Sequence, residues 1–239
     1  MTSTTQRIAG SVILVFSIIV AACGSSSKSA TPSTTSSSGA TSTTTTTSPT
    51  TTTSTPVALS SAVWPSSTSR VRYNAPTGVA RAFALNYLHF VSPVIGQFRQ
   101  GDARSGEVPI RTTAEGTSLG PVTTVIVRQI NGSWWVLGAA TPNITLTQPA
   151  ALATITSPVR LRGTSTAFEA SVNVSIRQDD VAKPLVESFL MGGSNGQMGP
   201  FNASFPFASP TSGYGAILLY TISPANGHVA EATVIRVRL

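Results

Sequence analysis

The chain has 239 residues, of which 41% are hydrophobic and only 10% charged, and its 15 lysines and arginines outnumber 8 acidic residues for a formal net charge of +7. Its single cysteine excludes an internal disulfide, and with two histidines it has few ligands to offer zinc. The length allows one or two domains, and the low charge with abundant β-branched residues points to a β-rich body.

The first 22 residues, "MTSTTQRIAGSVILVFSIIVAA", place one cation, Arg7, before an apolar run that ends in small residues, the order of a secretory signal. The run from Ile8 to Ala22 contains Gly10 and Ser11 and is shorter than the ~20 apolar residues that span a bilayer, so cleavage is favoured over a transmembrane helix. Val20-Ala21-Ala22-Cys23 resembles the lipobox of bacterial lipoproteins. That resemblance implies a diacylglyceryl thioether on Cys23 and cleavage just before it. The expected location is the outer face of the cytoplasmic membrane, in the cell envelope. A stable anchor needs two chains, because each buried methylene supplies only about 0.8 kcal/mol.

Residues 23–62 are almost entirely Ser, Thr, Ala, Gly and Pro with one charge, Lys28. Such a composition buries too little apolar surface to offset the entropy of ordering, so a disordered tether is predicted. Extended, it would reach about 120–140 Å at roughly 3.3–3.6 Å per residue, and as a coil about 35 Å.

Residues 63–142 read as a small α+β domain. In "NAPTGVARAFALNYLHFV" Pro76 suits a first helical turn, and Val79, Ala80, Phe83, Ala84, Tyr87, Phe90 and Val91 fall on one face, which predicts a helix reaching Val91 before Pro93. Strands are predicted at Val94–Arg99, Glu107–Thr112, Val122–Ile130 and Trp134–Ala140, the last two joined by an Asn131-Gly132 hairpin turn. One helix on an antiparallel meander is the expected arrangement. Trp134 and Trp135 are adjacent on a strand, so one is expected in the core and the other outward, as a sugar-stacking platform or a cover for the seam with the next domain.

In residues 143–239 apolar and polar residues alternate at Val159–Arg162, Val172–Arg177, Phe201–Phe207 and Ile235–Leu239, and "GAILLYTIS" is apolar on both faces. Period-two patterns between short turns predict about seven strands and an all-β immunoglobulin-like sandwich. The pieces "SPVRLRGTSTAFEASVNVSI", "GGSNGQMGPFNASFPF", "GAILLYTISPANG" and "ATVIRVRL" resemble the GerM-associated immunoglobulin-like module of spore-forming bacteria. That resemblance covers Ile144 to Leu239 and implies a sandwich with no catalytic residue. The companion germination domain is not recognisable, so no role in spores carries over. "FRQGDARSGEV" and "WWVLGAATPNI" resemble the segment preceding this module in actinobacterial lipoproteins.

Two chemistries can be weighed. A cell-wall hydrolase or transferase would draw on His89, Asp102, Ser105 and Glu107, but "ARSGE" supplies no nucleophile elbow, and solvated charges in a glycine-punctuated loop are the simpler reading. Seven arginines, Arg70, Arg72, Arg81, Arg99, Arg104, Arg111 and Arg128, face only Asp102, Glu107 and Glu115 between Trp64 and Pro142. They form a candidate anion-binding set for wall polymers or lipid headgroups, an exported chain having no nucleic acid to meet. The expectation is a lipid-anchored, non-enzymatic binding or scaffolding module without cofactor or metal, with other envelope proteins as further partners. A small-molecule carrier, its ligand held between helix and sheet, is the third reading.

Overall fold

A computed structural model describes residues 58–113 and 119–239; Cys23, the signal segment and most of the tether lie outside the described residues. A 3-10 turn, Leu59–Ser61, leads to helix α1, Pro76–Asn86, and then to thirteen strands. They are β1 (Val94–Ile95), β2 (Arg99–Asp102), β3 (Ser105–Thr113), β4 (Leu119–Ile130), β5 (Ser133–Ala140), β6 (Ile144–Gln148), β7 (Val159–Ala167), β8 (Ser171–Gln178), β9 (Val186–Met191), β10 (Gly193–Ser194), β11 (Gly199–Phe205), β12 (Tyr214–Ile222) and β13 (Val229–Arg238).

Among the described residues these make two sheets. A nine-stranded sheet runs β1-β3-β4-β5-β13-β12-β8-β9 with β2 on β3, and a four-stranded sheet places β7 between β6 and β11 with β10 beside its end. The segments 63–142 and 143–239 therefore share one sheet, joined where Val234 of β13 pairs with Ala139 of β5. The expected helix on a meander and the expected sandwich are both present, built on opposite faces of that sheet.

Helix α1 begins at Pro76, whose missing N–H would have had no partner in the first turn. It buries Val79, Ala80, Phe83 and Ala84 against Val108, Ile110, Val125, Val127 and Val136, all fully buried. It ends at Asn86, not Val91. The amides of Leu88 and Phe90 turn back to the carbonyls of Phe83 and Ala84, and His89 between them takes a φ of 59°. Leu88 and Phe90 are thereby buried, and Val91 is exposed. The Val94–Arg99 strand is likewise divided into β1 and β2, because the Gly96 amide bonds the carbonyl of Pro109 and the chain then crosses over Gly106. A Cβ at Gly106 would lie 2.2 Å from the carbonyl of Arg99, so this approach needs glycine. Asn131 and Gly132 form the β4–β5 turn with φ of 51° and 78°, the positive pair a two-residue hairpin requires.

The opposite face of β13, β12, β8 and β9 packs on the small sheet through Leu161, Val174, Ile176, Phe201, Ile217 and Val237. The alternation at Ile235–Leu239 puts Arg236 on the polar side with Arg238. Only Arg238 is exposed; Arg236 is 2% exposed, because both faces of β13 are covered. Phe207 falls beyond the end of β11.

Candidate functional site

Strand alternation sorts the side chains of the first segment. In β3 and β4, Val108, Ile110, Val125 and Val127 point to the helix, whereas Ser105, Glu107, Arg111, Ile126, Arg128 and Ile130 point to the opposite, outer face. The register pairs Ser105 with Arg128, Glu107 with Ile126 and Arg99 with Glu107, which brings Arg99 and Arg128 to that outer face. Arg72 joins them by stacking its guanidinium 5.1 Å from the Trp135 ring, and Arg104 lies in the β2–β3 turn. Arg81 is exposed on helix α1, and Arg70 is exposed in the loop before it. The fold gathers Arg72, Arg99, Arg111 and Arg128 on the outer face, with Arg104 in the turn at its edge, and leaves Arg70 and Arg81 elsewhere.

Neither tryptophan is an exposed platform. Trp135 is 2% exposed, packs on Ala62 and Ile130, and donates its indole N–H to the carbonyl of Ile130 at 3.3 Å. Trp134 is half-buried on the helix side, edge-on to Phe98 at 5.4 Å.

The outer face is not covered throughout. The small sheet lies over β13, β12, β8 and β9 and ends at β6, leaving a groove of about 760 Å³ beside β4 and β5. Ile126, Leu137 and Ile235 line it with Leu146 and Leu152. A register shift in β4–β5 sets Gly138 opposite Ile126, so no side chain from β5 covers that position. Ile126 is 40% exposed and Leu152 41%. At one end the Leu59–Ser61 turn is held by the Arg236 Nε–H bond to the Ser60 carbonyl, 2.8 Å.

The hydrolase residues are not brought together. His89 lines a polar cleft of about 690 Å³ with Trp64, Tyr87, Arg177, Asp180 and Glu187, and Asp102, Ser105 and Glu107 are not part of it. In that cleft Arg177 bonds the Tyr87 carbonyl at 2.8 Å and lies 4.8 Å from its ring, and burial pushes the phenol up to about 12. Asp180 accepts from Ser66 and Thr68, and Glu187 accepts from Ser175. Asp102 is exposed at the end of β2, held below the ordinary carboxylate range by the Arg104 backbone N–H, the Ser105 hydroxyl and Arg128, which lies 3.2 Å away. Among the described residues the space between helix and sheet that the carrier reading needs is occupied by the buried side chains of Val79, Phe83, Val108, Val125 and Val136. Among the described residues no three His, Cys, Asp or Glu converge as metal ligands.

One buried carboxyl escaped the sequence reading. Glu231 on β13 is 4% exposed and faces no cation among the described residues. It accepts from Thr141, from Asn143 Nδ2 at 3.0 and 3.2 Å, and from Thr221 at 3.3 Å, tying the β5–β6 connection to β12 and β13. A lone acid between alanines and valines in "VAEATVIRV" was the available signal. Burial raises its pKa above the ordinary 4.5, the four hydrogen bonds opposing this only in part. A raised carboxyl favours folding when protonated, so this contribution is complete below the unfolded value and is lost as pH rises through the folded one. Glu231→Gln is expected to flatten the fall in melting temperature between pH 4.5 and neutrality relative to the native chain. Parallel pH profiles for the two would contradict the assignment.

Residues 143–228 match the family model of the immunoglobulin-like domain of bacterial spore germination. No curated protein and no solved structure matches the chain. The matched segment begins one residue before β6 and ends one residue before β13, so β6 to β12 form an immunoglobulin-like domain by that model, set on a sheet that continues under a helix.

Proposed function

We propose that the chain is a lipid-anchored, non-enzymatic binding module of the cell envelope, tethered through Cys23 and presenting its outer sheet face to anionic wall polymers or lipid headgroups. The observation that carries this reading is the composition of that face, where, among the described residues, Arg72, Arg99, Arg111 and Arg128 meet Asp102 and Glu107 beside an open apolar groove. Guanidinium groups recognise phosphate and carboxylate through paired hydrogen bonds, and a surplus of one sign raises encounter with anionic surfaces. The immunoglobulin-like half is of a non-catalytic fold type, and the residues of the hydrolase reading are not assembled, since the cleft that holds His89 does not include Asp102, Ser105 or Glu107.

The anchor and the surface are tested separately. Cys23→Ser is expected to leave an uncleaved precursor without lipid, read by intact mass and detergent phase partitioning; unchanged mass and partitioning would remove the anchor. The same unlipidated full chain is expected to bind anionic wall glycopolymer at low salt. Binding should weaken steeply as the screening length falls from about 30 Å at 0.01 M to about 8 Å at 0.15 M. Salt-insensitive binding, or none, would remove the anionic partner.

A further inference from the structure

We propose that the groove between β4–β5 and β6 holds the acyl chain of an anionic lipid, its charged head resting against Arg128 and Arg99. This names a ligand for the outer face and rests on the reading that this face meets anionic partners; it does not depend on the Cys23 anchor.

The groove exists because two paired strands part company. After Val234 pairs with Ala139, β13 takes new partners on that edge: the Leu152 amide bonds the Arg236 carbonyl at 2.7 Å, and the Ile155 amide bonds the Arg238 carbonyl at 2.9 Å. The β5 edge turns instead to Val63 and Trp64, whose amides both reach the carbonyl of Val136. Between the diverging edges the floor is Gly138, Ala139 and Ile235, and the walls are Ile126, Leu137 and Leu152. Its volume of about 760 Å³ lies within the ~300–1,000 Å³ of small-ligand sites.

The chemistry of the lining selects an acyl chain over a peptide. Its polar side chains are largely committed: Thr141 bonds Glu231, Thr233 bonds the Ile144 carbonyl at 2.8 Å, and Arg236 is paired with Asp179. A buried peptide would leave amides without partners here, which is costly, whereas methylenes ask for none. The charge nearby fits an anionic head. Arg128 is the next outward residue after Ile126 on β4 and spends one N–H on Asp102, leaving other donors of its fork. Arg99 stands in the same cross-strand row as Ile126, with Glu107 between them.

The test uses the full chain carrying Cys23→Ser, with cis-parinaric acid, an 18-carbon fluorescent fatty acid, as probe and its methyl ester as the uncharged control. Saturable binding of one acid per chain is expected. Ile126→Glu and Leu152→Glu, both at partly exposed positions that tolerate the change, should each weaken binding of acid and ester by about tenfold or more, because an unpaired carboxylate would be buried against the chain. The Arg99→Gln, Arg128→Gln double variant should weaken the acid several-fold and spare the ester. Near-ultraviolet circular dichroism of the tryptophans checks that each variant is folded. Absence of saturable binding, or equal binding by native chain and folded groove variants, overturns the proposal. So does a dimer in light scattering that Ile126→Glu dissociates, because a second copy would then fill the groove. Salt-sensitive binding to wall glycopolymer alongside any of these results would leave the anionic partner surface standing and the acyl site refuted.

Discussion

Asp179→Ala is expected to cost about 3–5 kcal/mol of unfolding free energy, the usual loss when one partner of a buried ion pair is removed. Arg236 Nη1 and Nη2 each lie 2.5 Å from a different oxygen of Asp179, a two-pronged contact, with the arginine side chain 2% exposed and the aspartate 16%. The guanidinium also caps the Ser60 carbonyl and stacks 5.1 Å from the Tyr214 ring, so it cannot swing to solvent without releasing the Leu59–Ser61 turn. Deleting the carboxylate leaves a buried cation unpaired. Replacing both partners, Arg236→Met with Asp179→Leu, should recover most of the loss, because the pair's mutual attraction is largely offset by desolvation. Urea unfolding with an unchanged m-value would read the difference as stability. A single variant within about 0.5 kcal/mol of native, as at an ordinary surface site, would show that the pair is solvated.

Arg236 also shows where sequence reasoning stopped. Period-two alternation separates the two faces of a strand but does not say what covers each face. In β13 it put Ile235 and Val237 on one face, and Arg236 on the other; it was silent on the turn from residues 59–61 that closes over Arg236. The tryptophans repeat the lesson, since the alternation at Trp134 and Trp135 was legible while the burial of Trp135 depends on Ala62, more than seventy residues earlier.

Features encoded locally were readable. Asn131-Gly132 makes the turn its backbone preferences demand, and Pro76 opens the helix. The helix end was misplaced because Pro93 marks only the furthest residue a helix can reach, whereas the actual stop is a pair of backbone hydrogen bonds around His89. The groove and the Glu231 network were out of reach for a further reason. Both arise where β5 and β13 meet through one residue pair and then separate, a long-range geometry that no short window contains. The gathering of Arg99, Arg111 and Arg128 on one face follows from alternation plus register, and only the first was available from the sequence.

Phe83→Ala is expected to cost about 3–5 kcal/mol, the range for deleting a fully buried aromatic ring, and to lower the melting temperature by roughly 10 °C. Phe83 is 0% exposed, stacks on Tyr87 at 5.1 Å with planes 16° apart, and belongs to one core with Val108, Val125 and Val136. That core does not end with the first segment. Ala216 and Leu218 of β12 and Ala232 and Val234 of β13 belong to the same cluster, while their strand neighbours Ile217, Leu219 and Val237 belong to the sandwich core on the other face. A cavity beneath the helix therefore loosens strands on which the sandwich also depends. The loss should appear as one transition, with equal decrements in tryptophan near-ultraviolet signal, which reports on β5, and in hydrogen exchange of the β8 and β12 amides. Two transitions, of which only the tryptophan-reported one moves, would show that the helix-bearing segment and the immunoglobulin-like segment unfold independently despite their shared sheet.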